Sequence, residues 1–189
     1  MEIKLDSKLM KAVSGLFLFA IAIILMAADM MKLAGVAESG NLGWLPGLFM
    51  LFMACATCYA AYLEKMNCKL VAIAGLYLLF AIVVMAKKGI AADPFFFALW
   101  ASLEGVLLVF DGLKKKEEKA NLWFVTLGIG ALAILFAFIA CFMDPVIKIT
   151  AEDAVMKLHP MVGLALLFAA IGKIYPLCEQ FLPKVELKK

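Results

Sequence analysis

Six long apolar stretches alternate with short polar ones along the chain: about Ala12 to Ala28, Trp44 to Leu63, Leu70 to Ala86, Phe95 to Phe110, Leu122 to Met143 and Pro160 to Leu177. None shows the period-two alternation of a half-buried strand. Each approaches the roughly 20 residues that an α-helix needs to cross a ~30 Å hydrocarbon core, and a helix satisfies its backbone polar groups within its own segment. The pattern predicts an all-α, polytopic membrane protein with six transmembrane helices. Flanking methionines and snorkelling lysines, among them Lys173 in the last helix, extend the shorter spans.

Prolines punctuate the pattern in pairs of helices. Pro46, Pro94 and Pro160 stand at or just inside the starts of the second, fourth and sixth stretches, where a missing N–H and a fixed φ suit the first helical turn. Three helical hairpins follow, about 12–63, 70–112 and 122–177, within a single domain spanning 1–189 whose tails are 1–11 and 178–189. The odd stretches share a motif, from Gly15 to Ile21, Gly75 to Ile82 and, more loosely, Gly128 to Ile134, so the hairpins read as a diverged repeat. Small residues one turn apart, Ala56/Ala60, Ala133/Ala137 and Ala165/Ala169, are spaced for close helix contact. Thr150 to Asp153 has the form of a capping box opening a short surface helix with Ala154, Val155 and Leu158, and Lys114 and Glu118 sit one turn apart on a continued fourth helix.

Composition sharpens the class. The chain is 66% hydrophobic with mean hydropathy +1.02, against roughly 45–50% apolar residues in soluble domains. The partner it identifies is a lipid bilayer; a homo-oligomer or a second membrane protein stays open. All 18 basic residues are lysines placed towards loops and tails, a topology signal rather than a nucleic-acid footprint. Thirteen lie on the side of the two termini and five in the opposite loops, which places both termini in the cytoplasm of an inner-membrane protein. Lys4, Lys8 and Lys11 before a long apolar stretch, with no good cleavage site, predict an uncleaved first helix.

The candidate chemistry is sparse. Glu104 is the carboxylate set deepest in an apolar stretch, ten residues from Pro94 and eight from Gly112, or ~15 Å and ~12 Å along a helix. An acidic side chain there costs on the order of 2.5–3.5 kcal/mol on insertion scales, so it should face other helices. Tyr77 and Thr57 reach the same depth from the third and second helices. With no basic residue expected at that level, Glu104 is expected to be protonated and hydrogen-bonded in this layer, as a structural staple or as a proton or ion site.

Cys55 and Cys58 form a CxxC whose sulfurs share a helix face. They are small packing residues or a redox pair; the vitamin K epoxide reductases, which such a pair resembles, also need a second cysteine pair that is lacking here. The five cysteines imply no disulfide framework. His159, the only histidine, precedes Pro160 at the outer start of the last stretch. It is an interfacial residue or a pH sensor. Gly128, Gly130 and Ala133 mimic a dinucleotide fingerprint but have no preceding strand. No Walker loop, HExxH, nucleophile elbow or metal-ligand cluster occurs, so neither an enzyme nor a cofactor or metal is expected.

Trp100, Gly105 with Val109, the Lys114–Lys116 turn, Trp123, the Gly128/Gly130 helix ending at Asp144-Pro145, and Gly163 with Gly172 resemble the HdeD-like acid-resistance membrane protein family over most of 70–175. The resemblance implies a six-helix inner-membrane protein of paired-helix repeats with no established reaction, linked in some bacteria to acid stress. This chain departs in carrying lysine where relatives commonly carry arginine, and in its extended last outer loop. Three functions stand in order: a non-enzymatic HdeD-like membrane protein with a structural or stress role, a small proton, ion or solute channel or transporter using Glu104, and a membrane thiol oxidoreductase using Cys55 and Cys58.

Overall fold

The computed structural model describes residues 7–30, 44–86, 94–118, 120, 122–150 and 154–178. Its elements are α1 (Ser7–Met30), α2 (Leu45–Leu63), α3 (Cys68–Ala86), α4 (Pro94–Glu117), α5 (Trp123–Thr150) and α6 (Ala154–Cys178). The chain is all-helical among the described residues, and all six helices are long and apolar enough to cross a membrane. Large apolar side chains such as Leu16, Leu79, Ile82, Phe110 and Phe138 stand exposed on the bundle's outside. A lipid solvent explains that surface; water does not.

Two helices outrun their expected ends. α5 continues through Asp144-Pro145 to Thr150, and α6 begins at Ala154 rather than Pro160, which lies inside it with Pro176. Residues 154 to 158 are thus the first turns of α6, not a separate surface helix. Within a bundle a proline need not end a helix, because neighbouring groups compensate the hydrogen bond it removes. Residues 151–153 of the expected capping box lie outside the described residues. α4 does continue through the lysine run, and Lys114 pairs with Glu118 at 3.7 Å.

Glycines set the closest helix approaches. A Cβ at Gly130 would lie 2.8 Å from the Gly105 carbonyl oxygen and 2.9 Å from the Val109 nitrogen, so α4 and α5 meet backbone to backbone. Gly163 faces the Ala22 carbonyl of α1, Gly15 faces Ala170 and Lys173 of α6, and Gly47 of α2 faces Ala81 and Met85 of α3. Packing without a hydrophobic drive between helices depends on such approaches. They join α6 to α1, α2 to α3 and α4 to α5, while α1 also packs on α2 and α5 on α6 as in the expected hairpins. α3 and α4 meet instead through side chains, Tyr77 and Phe80 against Trp100 and Lys69 with Asp111. The alanines at 60, 133, 137, 165 and 169 are buried, and Ala56 is partly so.

The two halves of the bundle differ. Leu25, Met50, Val84, Phe97 and Val162, towards the helix ends remote from the termini, belong to one buried apolar cluster with Ile21, Met53, Trp100 and Leu166. At the end where α1 starts and α6 finishes, the described residues include a small apolar cluster of Ala60, Ala61 and Leu70. Polar side chains and space take the remaining room.

Candidate functional site

A cavity of about 390 Å³ occupies that second half. Its mouth lies among the lysine-rich helix ends. Its inner end is Glu104, with Tyr77 and Lys173 beside it.

The mouth is built by the α2–α3 turn, where Lys65 and Met66 adopt φ of 56° and 61°. Left-handed conformations at successive residues reverse the chain tightly, and Asn67 starts α3 by accepting the Lys69 N–H at 3.1 Å. Glu64 at this turn gathers three donors from two elements: the Ser7 hydroxyl, Lys11 Nζ at 2.9 Å and Asn67 Nδ2 at 2.9 Å. The Ser7 hydrogen bond, aided by Lys11 and Asn67 and opposed by partial burial, holds its carboxyl down at about 2. Lys69 bridges to Asp111 at 3.2 Å, tying α3 to α4, and Lys115 donates to Thr126 of α5 at 3.4 Å.

At the inner end Glu104 is fully buried, and Trp100 one turn earlier on α4 donates its indole N–H to Oε1 at 3.2 Å. The second carboxylate oxygen faces Lys173 Nζ of α6 at 3.0 Å. This contact is an ion pair whose angles are not those of a hydrogen bond, since Oε2 accepts none. The same ammonium donates to the Tyr77 hydroxyl and lies 4.6 Å from the Tyr77 ring centroid. Tyr77 and Trp100, both fully buried, meet edge to face at 6.2 Å. One cation is therefore shared by a carboxylate, a phenol and an aromatic face.

Lys173 removes the ground on which Glu104 was expected to be protonated, the lack of a basic residue at its depth. Lys173 does not snorkel outward. It turns into the bundle, its side chain only 14% exposed. Gly15 makes room for it: a Cβ there would come within 2.9 Å of both Lys173 Cβ and Ile174 Cγ1. The signal lay in the sequence, because Lys173 is followed by Ile174, Tyr175, Pro176, Leu177 and Cys178, more than a turn of apolar helix. A search for the cation partner of Glu104 would have reached it.

Of the other expected site residues, Thr57 is buried on α2 and lines the same cavity as Glu104 and Tyr77. Cys55 and Cys58 are free thiols on the exposed face of α2 and do not line the cavity. His159 falls within α6, but its side chain lies outside the described residues. Ser14 and Thr126, not singled out in the sequence, are buried polar residues that also line the cavity. Among the described residues, no three His, Cys, Asp or Glu side chains gather as metal ligands would.

Comparison with known proteins adds nothing to this geometry. No family model, curated protein or solved structure matches the chain. The cavity and its buried charges carry the functional argument alone. They place a buried ion pair at the inner end of a cavity, with apolar packing beyond it.

Proposed function

We propose that this protein is a small, non-enzymatic membrane carrier or channel in which Glu104, paired with Lys173, is the exchange site for a proton, ion or small solute. One observation carries the reading: the cavity runs from the lysine-rich face to an ionisable pair buried among six apolar helices. Buried charges at this depth are costly and characteristically mark ion and substrate pathways. A purely structural staple needs no such cavity. The thiol oxidoreductase reading has less support, because Cys55 and Cys58 face away from this space.

The lysine asymmetry supports an inner-membrane orientation in which the cavity and both termini face the cytoplasm. The apolar cluster beyond Glu104 is then the closed gate, and transport requires it to part. The likeness to HdeD-like proteins rests on scattered glycine, tryptophan and proline positions, and a stress-related role would be the physiological setting of such a carrier. The test is proton and ion flux into proteoliposomes across an imposed pH gradient, with Glu104→Gln beside the unaltered protein. Flux that falls to background in the variant is expected; no flux in either, with both folded, overturns the carrier reading.

A further inference from the structure

We infer that the species exchanged is the proton and that Lys173 relays it, giving a proton to Glu104 and taking one back from water in the cavity. This rests on the reading of the buried pair as the working site. Exposure assigns the relay. Glu104, Tyr77 and Trp100 are all fully buried, and Glu104 Oε2 presents no surface to water. Lys173 lines the cavity with 14% of its side chain exposed, and its ammonium stands 3.0 Å from that oxygen. A proton bound for Glu104 therefore passes through the ammonium.

Lysine chemistry suits the task, because a desolvated ammonium can give up a proton and a guanidinium cannot. Oε2 accepts no hydrogen bond, while the same ammonium donates to the Tyr77 hydroxyl. A small rotation brings a second N–H into line with Oε2. One N–H bond then breaks and one O–H bond forms, the electron pair staying on Nζ, so that a neutral amine faces a neutral acid. Burial lowers the cost of that step, since two charges leave an apolar surround together. Hydronium from the cavity returns a proton to Nζ and leaves water. The balance is one proton in, held on Glu104 beside a restored ammonium.

The cavity supplies the water. Its 390 Å³ has room for on the order of ten molecules, and the buried hydroxyls of Ser14, Thr57 and Thr126 on its wall each offer a donor and two lone pairs. A metal ion fits the inner end poorly, because it would meet Oε2 with an ammonium already 3.0 Å away. The groups that meet the pair are Tyr77 from α3 and Trp100 from α4, with Gly15 of α1 against the Lys173 Cβ. Lys11 of α1, Glu64 of the α2–α3 turn, Lys69 of α3 and Asp111 of α4 line the same space, and α5 brings Thr126 to it.

The experiment is a rapid drop in pH applied to the full chain in lipid nanodiscs, with the Glu104 carboxyl followed by its infrared band and identified by the loss of that band in Glu104→Gln. Lys173→Arg keeps a cation beside Glu104 but has no proton to transfer. In it the band should grow about a hundredfold more slowly than in the parent, within the range that a positioned proton donor supplies. Lys173→Gln, jumped upward in pH from the protonated acid, gives the same comparison should arginine not fit beside Gly15. Equal rates in parent and variant, or no Glu104 band at any pH, overturn the relay. Proton flux in proteoliposomes should fall with the band rate in Lys173→Arg and should not change when sodium is replaced by choline; a requirement for sodium overturns the proton. Glu104-dependent uptake of labelled sodium without proton flux sinks the proton and leaves the carrier. A slowed band in Lys173→Arg with no flux of any kind leaves the relay and sinks the carrier.

Discussion

Removing the cation from the buried pair should be costly, by an amount that depends on pH. At 3.0 Å the Coulomb attraction is about 5.5 kcal/mol for an effective dielectric of about 20. Lys173→Met forfeits that attraction and strands the fully buried Glu104, and losing one partner of a buried pair typically costs ~3–5 kcal/mol. Protonation caps the loss. Neutralising a carboxyl of ordinary acidity, about 4.3, at pH 7 takes ~3.7 kcal/mol and each unit of pH is worth ~1.4 kcal/mol. Lys173→Met should therefore lose about 3–4 kcal/mol at pH 7 and about 2–2.5 kcal/mol at pH 6. The double variant Glu104→Gln/Lys173→Met has no charge to strand and should return to within ~1–2 kcal/mol of the parent. Reversible unfolding in mixed dodecyl sulfate and dodecyl maltoside micelles, followed by helicity, measures all three. Equal losses at both pH values, together with no rescue in the double variant, would refute the pair as an energetic unit.

Other perturbations test the frame around the site. Gly130→Ala drives a methyl into the Gly105 carbonyl and Val109 nitrogen and should cost ~1–3 kcal/mol by the same unfolding assay. Gly128→Ala, with nothing within 4 Å, should be neutral or stabilising by up to ~1 kcal/mol. Glu64, held down at about 2 chiefly by the Ser7 hydroxyl, contributes stability above its unfolded value that is lost as pH falls from about 4.5 towards 2. Ser7→Ala should flatten that acid limb in an unfolding series. An unchanged limb would discard the Ser7–Glu64 link between α1 and the α2–α3 turn.

The spans were legible because bilayer solvent imposes a plain rule: each crossing must be a run of about 20 apolar residues. The ends of α5 and α6 were not, because Pro145 and Pro160 break helices in water and are tolerated in a bundle. The glycines at 105, 130 and 163 were visible as small residues, yet the sequence does not say which helix each one meets. The prolines therefore suggested hairpins, whereas the closest glycine approaches follow another order. Glu104 and Tyr77 stood out by depth alone. Lys173 did not, because a lysine near a helix end is ordinarily solvated, whereas this one packs beside Gly15 and reaches inward to Glu104 and Tyr77. The cavity itself was out of reach, since three of its four lysine–carboxylate pairs join residues distant in the chain.

The pairing of α6 with α1 and of Lys173 with Glu104 also has a history in time. A nascent chain emerges from its N-terminus, so Glu104 is made 69 residues before Lys173, about 3–14 s at ordinary rates of synthesis. Through that interval Glu104 has no ammonium to answer it and crosses most cheaply as the neutral acid. Arrival of the last helix brings Lys173 to Glu104, packs α6 against α1 and adds Gly172, Lys173 and Pro176 to the cavity wall. A chain cut short before Lys173 would leave Glu104 in the membrane with the Trp100 N–H but no ammonium beside it.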